Sequence, residues 1–304
     1  PSQKQPYVHP MGVWRSRISG NARTPFPWPR RSAPICYNAS AMSDAPLFID
    51  THAHLAMSQF DDDREAVIAR AHTAGVARVI EIGYDLPSSR AAVDLAERHP
   101  AIYAVVGLQP NHIHETAPDY LEHVRALAAH PKVVAIGEIG LDYHWMRVPP
   151  ATQEEVFRAQ LALARDLGLP VVIHSRDAQA DTLRILADAA RGQSGVMHAF
   201  SGDWDYAQAC LDIGFMLSFT GTLTYARATA LHEVARRAPL AMLLTETDSP
   251  YLSPNPYRGQ RNEPAYVRLV AERLAALRDE PLAQVAARVW ANAERLFAFG
   301  EPRR

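Results

Sequence analysis

Eight short β-branched or apolar runs, separated by amphipathic stretches with helical period, constrain this chain more than any other feature. The strand-like runs fall at 47–51, 77–82, 102–108, 133–138, 171–174, 195–198, 215–219 and 241–247. Helix-period segments lie between them, among them 61–74, 88–99, 120–130, 152–167 and 178–190. Segments at 264–277 and 282–299 are expected to be the last barrel helix and an appended one. Strict alternation of this kind requires parallel strands joined by right-handed crossovers. Eight such units fit a single-domain (βα)8 TIM barrel of about 250 residues. At 304 residues and 48% apolar content, the chain can bury a core of that size.

The remaining composition narrows the setting. No apolar run approaches the roughly 18 residues of a membrane span, and the N-terminus lacks the compact apolar core of a secretory signal. The two cysteines, Cys36 and Cys210, exclude a disulfide framework and fit a reducing, cytoplasmic compartment. Residues 1–43 hold seven of the 23 prolines and no periodicity, and are expected to be a disordered or non-native N-terminal extension to a barrel domain spanning 44–304. Arg and Ser without acid also suit a transit peptide, although Met42 just ahead of the first strand points to an over-extended start. The extension carries six basic and no acidic residues, so the rest has 25 basic against 33 acidic, a net charge of −8. Gripping a long duplex needs the opposite sign, so any contact with nucleic acid should be local.

In a barrel of this kind the chemistry sits where strands run into βα loops. His52 and His54 end the first run one residue apart, on one face of an extended strand and within reach of one cation. Glu138 ends the fourth, His174 the fifth and His198 the sixth, and Asp248 follows the eighth. Any one strand-end histidine is readily explained by a backbone carbonyl partner. Six metal-competent side chains at one end of one sheet are not. The other nine of the 13 histidines fall on expected helices, loops or the tail.

The segments carrying these residues resemble a known family. Asp50-Thr-His-Ala-His-Leu55, Gly137-Glu-Ile-Gly-Leu-Asp142, Val172-Ile-His-Ser-Arg-Asp177, His198-Ala-Phe-Ser-Gly202, Thr245-Glu-Thr-Asp-Ser-Pro250 and Arg258-Gly-Gln-Arg-Asn-Glu-Pro264 are similar, in order, to the motifs of the TatD-like metal-dependent hydrolases. These are deoxyribonucleases within the amidohydrolase-type barrel superfamily. The resemblance covers residues 46–299 and implies two divalent ions: His52, His54 and Asp248 on one, His174 and His198 on the other, and Glu138 bridging. Six protein ligands overfill one tetrahedral ion but suit two open ones. Related amidohydrolases often bridge with a carboxylated lysine. The only lysines here are Lys4 in the tail and Lys132 before the fourth run, so the bridge falls to a carboxylate. Mg²⁺, Mn²⁺ and Zn²⁺ are all candidates, four imidazoles favouring the softer ions.

The chain departs from the family at Gly107-Leu-Gln-Pro110, where relatives commonly have His in place of Gln109. Gln109 is expected to contact substrate by hydrogen bonding without titrating, and His112 or His114 lies near enough in sequence to substitute. Asp248 is the expected base and Glu138 its catalytic partner as bridge. Arg258 and Arg261 are candidate donors to phosphoryl oxygens, with a solvated loop or a salt bridge to Glu263 as the alternative. Asp50 and Glu246 are expected to hydrogen-bond ligand imidazoles, and Asp142 and Tyr143 either to line the mouth or to pack within their loop. The resemblance implies hydrolysis of DNA phosphodiesters from the ends of single strands, without an obligate protein partner or a membrane. The same centre can instead serve a carboxylic ester, such as D-aminoacyl-tRNA or a lactone. A catalytically silent binding barrel is the third reading, and it predicts missing ligands where none is missing.

Overall fold

The computed structural model describes residues 46–115 and 117–300. The extension expected over 1–43, with Lys4, lies outside the described residues. Strands β1 (Phe48–Ala53), β2 (Val76–Ile82), β3 (Ile102–Val106), β4 (Val133–Asp142), β5 (Val171–Arg176), β6 (Gly195–Met197), β7 (Phe215–Phe219) and β8 (Leu243–Thr245) form one parallel sheet in sequential order. Helices α1 (Arg64–Thr73), α2 (Leu86–Arg98), α3 (Tyr120–Ala128), α4 (Pro150–Leu167), α5 (Gln179–Ala189), α6 (Trp204–Asp212), α7 (Thr229–Arg237) and α8 (Val267–Arg278) cover it outside, with α9 (Leu282–Phe297) appended. The fold is the expected (βα)8 barrel. Its core runs through the strands and the inward stripes of the helices, and Phe60, Phe157, Phe215 and Phe219 are among its largest fully buried side chains. Among the described residues, no helix is long and apolar enough to cross a membrane.

Several strand boundaries differ from the sequence-based expectation, and those of β4 and β8 matter to the site. β4 runs on past Glu138 to Asp142, because Gly140 lets it lie against β5. At φ +143°, a Cβ on Gly140 would stand 2.0 Å from the His174 carbonyl oxygen. β8 is shorter than expected, because residues Leu240–Met242 form a 3₁₀ turn after Pro239. Closure onto β1 therefore uses the segment beyond β8: an isolated parallel bridge joins Ala53 to Ser249. There Asp248 N donates to His52 O and His54 N to Ser249 O, each at 2.8 Å. Lys132 donates to the carbonyls of Pro100 and Ile102 beside the start of β4, away from the strand ends.

Candidate metal centre

Barrel closure is also what assembles the centre. The two bonds between β1 and the post-β8 segment set Asp248, held at φ +55°, beside His52 and His54. Asp50 clamps the same seam, its carboxylate accepting from Thr247 N at 2.8 Å and Thr247 Oγ1 at 2.5 Å. That is a correction: Asp50 braces the backbone of the closing segment rather than an imidazole. Burial pushes its carboxyl up to about 8 even though the Thr247 bonds pull the other way.

The six expected side chains converge. His52 Nε2 lies 3.3 Å from His54 Nε2, 3.7 Å from Asp248 Oδ1 and 3.8 Å from Glu138 Oε2. His54 Nε2 is 3.4 Å from Asp248 Oδ1, and His198 Nε2 is 3.6 Å from Glu138 Oε1. Two sets with metal-ligand spacing result, His52–His54–Asp248 and His52–Glu138–His198, sharing His52. His174 belongs to neither. Its Nδ1 lies 2.5 Å from Glu138 Oε1 and its Nε2 3.0 Å from Asp142 Oδ2, so two carboxylates engage both ring nitrogens.

The donor set fits cations. His52 Nδ1 is buried without a hydrogen-bond partner, and its Nε2 faces another imidazole nitrogen and two carboxylates at distances longer than good hydrogen bonds. Burial first, and then the charge of His198, His54 and His174, holds its pKa well below 6.5, keeping a lone pair available. His54 Nδ1 donates to Ile82 O at 3.1 Å and His198 Nδ1 to Glu246 Oε1 at 2.8 Å, which turns each Nε2 inward. Glu246 thus takes the supporting role expected of it, and also accepts from Ala199 N at 2.7 Å.

Charge is balanced within this cluster. Burial disfavours protonation of His174, but Glu138 and the bonds to Asp142 and Glu138 more than offset it and take the ring to about 9. His198 reaches about 10 in the same way, burial being outweighed by Glu246 and Glu138. Burial works against ionisation of Glu138 too, yet His198 and His174 bring it down to about 2. The cluster is poised to exchange imidazole protons for metal charge.

The centre opens into a cavity of about 700 Å³ whose lining includes His54, Gln109, Glu138, Asp142, His174, Arg176, His198, Asp248 and Trp145. Gln109 Oε1 accepts from Asn111 N at 2.9 Å, so its amide NH₂ is the group it has to offer. His112 lines the cavity beside Tyr84, whereas His114 is exposed. Asp142 lines it too; the Tyr143 hydroxyl instead donates to Asp181 at 2.9 Å. Neither loop arginine lines it. Arg261 makes a two-pronged ion pair with Asp63, its nitrogens 2.8 and 2.7 Å from the carboxylate oxygens, and Arg258 lies over the Tyr225 ring at 4.6 Å. Glu263, the alternative partner expected for them, pairs with Arg70. The sequence reading passed over Glu81, which accepts from Leu55 N and Ala56 N and fixes the loop after His54, and over Arg176. A buried-strand carboxylate and an arginine two residues past His174 were the available signals.

A (βα)8 barrel with imidazoles and carboxylates gathered at its strand ends is the architecture of a metal-dependent hydrolase. The chain belongs to the TatD related DNase family, whose profile it matches over residues 49–298. It is 43% identical to the uncharacterized metal-dependent hydrolase YabD of Bacillus subtilis, covering 83% of this chain and 99% of that one. It is 40% identical to the 3'-5' ssDNA/RNA exonuclease TatD of Citrobacter rodentium over 82% and 97% of the two chains. The crystal structure of the TatD homolog YJJV from Escherichia coli superposes with a TM-score of 0.76 at 35% identity, covering 83% of this chain and 98% of that one.

Proposed function

We propose that this protein hydrolyses phosphodiester bonds in DNA, working from the ends of single strands, with two divalent ions held among His52, His54, Glu138, His174, His198 and Asp248. The observation that carries this reading is the pair of ligand sets sharing His52 beside an open cavity. The relatives named as 3'-5' ssDNA/RNA exonucleases support the substrate class. Divalent ions bound there acidify water and neutralise charge on phosphoryl oxygens.

The chain's own residues do the rest. Asp248, which lines the cavity with Oδ1 3.4 Å from His54 Nε2, takes the proton of the attacking water in this reading. Glu138 stands between His174 and His198 and gives both sides of the centre a common anion. The Gln109 amide donates to substrate without titrating. An acidic folded region suits a short, local contact with one strand end.

The test is elemental analysis together with digestion of end-labelled single-stranded DNA in Mg²⁺, Mn²⁺ or Zn²⁺. Wild type should hold metal and shorten the strand. Glu138→Ala should lose metal and cut roughly 100-fold more slowly or worse. Intact DNA alongside hydrolysis of a D-aminoacyl-tRNA or a lactone would overturn the reading in favour of a carboxylic ester.

A further inference from the structure

Three large hydrophobic side chains are exposed among the described residues, Trp145, Met146 and Tyr251, and two of them line the cavity. An indole left 57% exposed beside a reaction centre is not accounted for by core packing. Among the described residues Arg176 is the one arginine lining that cavity; its guanidinium lies 5.6 Å from the Trp145 ring centroid. Among the described residues it makes no ion pair, unlike Arg64, Arg70, Arg184 and Arg261, which each hold a carboxylate. The adjacent carboxylate, Asp177, faces His144 at 3.2 Å instead.

From this pairing we infer a nucleotide-binding subsite. The Trp145 indole stacks on a base of single-stranded substrate, and the Arg176 guanidinium holds the phosphate next to it. The inference rests on the hydrolase reading above and deepens it by naming what selects the strand.

The loop that carries Trp145 is tied to the reaction centre. One oxygen of Asp142 accepts the backbone N–H groups of His144 and Trp145 at 3.0 and 2.9 Å. The other takes His174 Nε2 and Asn111 Nδ2, both at 3.0 Å. A single buried carboxylate therefore sets the step between platform and centre. The His144 ring braces the indole edge-on, with centroids 4.9 Å apart at 88°. An aromatic face accepts any base, provided the base is unstacked, which selects single strand over duplex with little sequence preference. A lone arginine adds one phosphate contact, in keeping with the acidic character of the folded region.

The test compares full-length wild type, Trp145→Ala, Trp145→Phe and Arg176→Ala on short oligonucleotides, intact or carrying one abasic nucleotide at successive positions from the cleaved end. Labelled-strand binding in a chelator is measured in parallel. Trp145→Ala should weaken binding and raise KM about 5- to 100-fold, the loss falling on KM rather than kcat, with Trp145→Phe restoring most of it. An abasic nucleotide at the stacked position should cost wild type the same factor and cost Trp145→Ala nothing further. Arg176→Ala should flatten the dependence of log KM on log salt by about 0.7. Wild-type KM in Trp145→Ala, with equal abasic penalties in both proteins, would overturn the subsite and leave the hydrolase reading standing. A wild type that neither binds nor shortens oligonucleotides would overturn both.

Discussion

At the scale of single residues, the centre depends on groups that touch no metal-facing atom. Glu246 accepts from His198 Nδ1 and from Ala199 N, the latter at φ +43°, so it fixes both the ring and the strained backbone behind it. Glu246→Ala should lower metal affinity by about 10- to 100-fold, read by competition with a chelating dye. Glu246→Gln should lose less, because an amide oxygen still accepts from the imidazole. Equal affinity in all three proteins would show that His198 needs no orienting partner. That the six side chains would meet was legible in the chain because a strand has period two and their strands all end at the same mouth of the barrel. Their supports were only partly legible: Glu246 has the right parity, but Asp50 has it as well and clamps Thr247 instead.

Elements position the site through α4 as much as through the strands. Gln153 and Gln160 lie two turns apart on the buried face of this helix and replace missing strand partners. Gln160 bonds both N and O of Leu108 just past β3, and Gln153 bonds both N and O of Asp142 at the end of β4. Gln153→Leu would leave that peptide N–H and C=O unsatisfied in the interior and should cost about 2–4 kcal/mol, measured as a fall in the denaturant midpoint at unchanged slope. An unchanged midpoint would mean that other groups satisfy the end of β4. The helical period of 152–167 marked α4 correctly, but polar residues on a buried stripe carry no local sign of what they bond. The loop after β8 shows the same limit. Arg261 meets Asp63, a residue nearly two hundred positions earlier, rather than the neighbouring Glu263, because the loop folds back over α1.

For the whole molecule, gathering charges at one mouth ties stability to pH and to metal. His174 and His198, raised to about 9 and about 10, stabilise the metal-free fold fully below the ordinary 6.5 and lose that contribution as pH climbs through the folded values. Glu138, lowered to about 2, works in the opposite sense: its contribution is in place above 4.5 and is lost as pH falls through 2. Chelator-treated protein should therefore lose Tm between pH 7 and 10. Metal-loaded protein should hold its Tm there, since metal takes the place of the imidazole protons. Calorimetric titration with metal in buffers of different ionisation heat should register proton release near neutral pH. Flat Tm curves and no proton release would mean that these rings are already neutral. What the sequence by itself determined is the alternation that forces a parallel barrel and the set of imidazoles and carboxylates that its strands end in, since periodicity and strand order are local and additive. Only the tertiary structure decided that His52 is shared, that His174 is engaged by Glu138 and Asp142, and that Arg176 rather than Arg258 or Arg261 reaches the cavity. Those outcomes depend on how β1 meets the segment beyond β8 and how far β4 runs past Glu138, and closure geometry of that kind leaves no mark in any window of neighbouring residues.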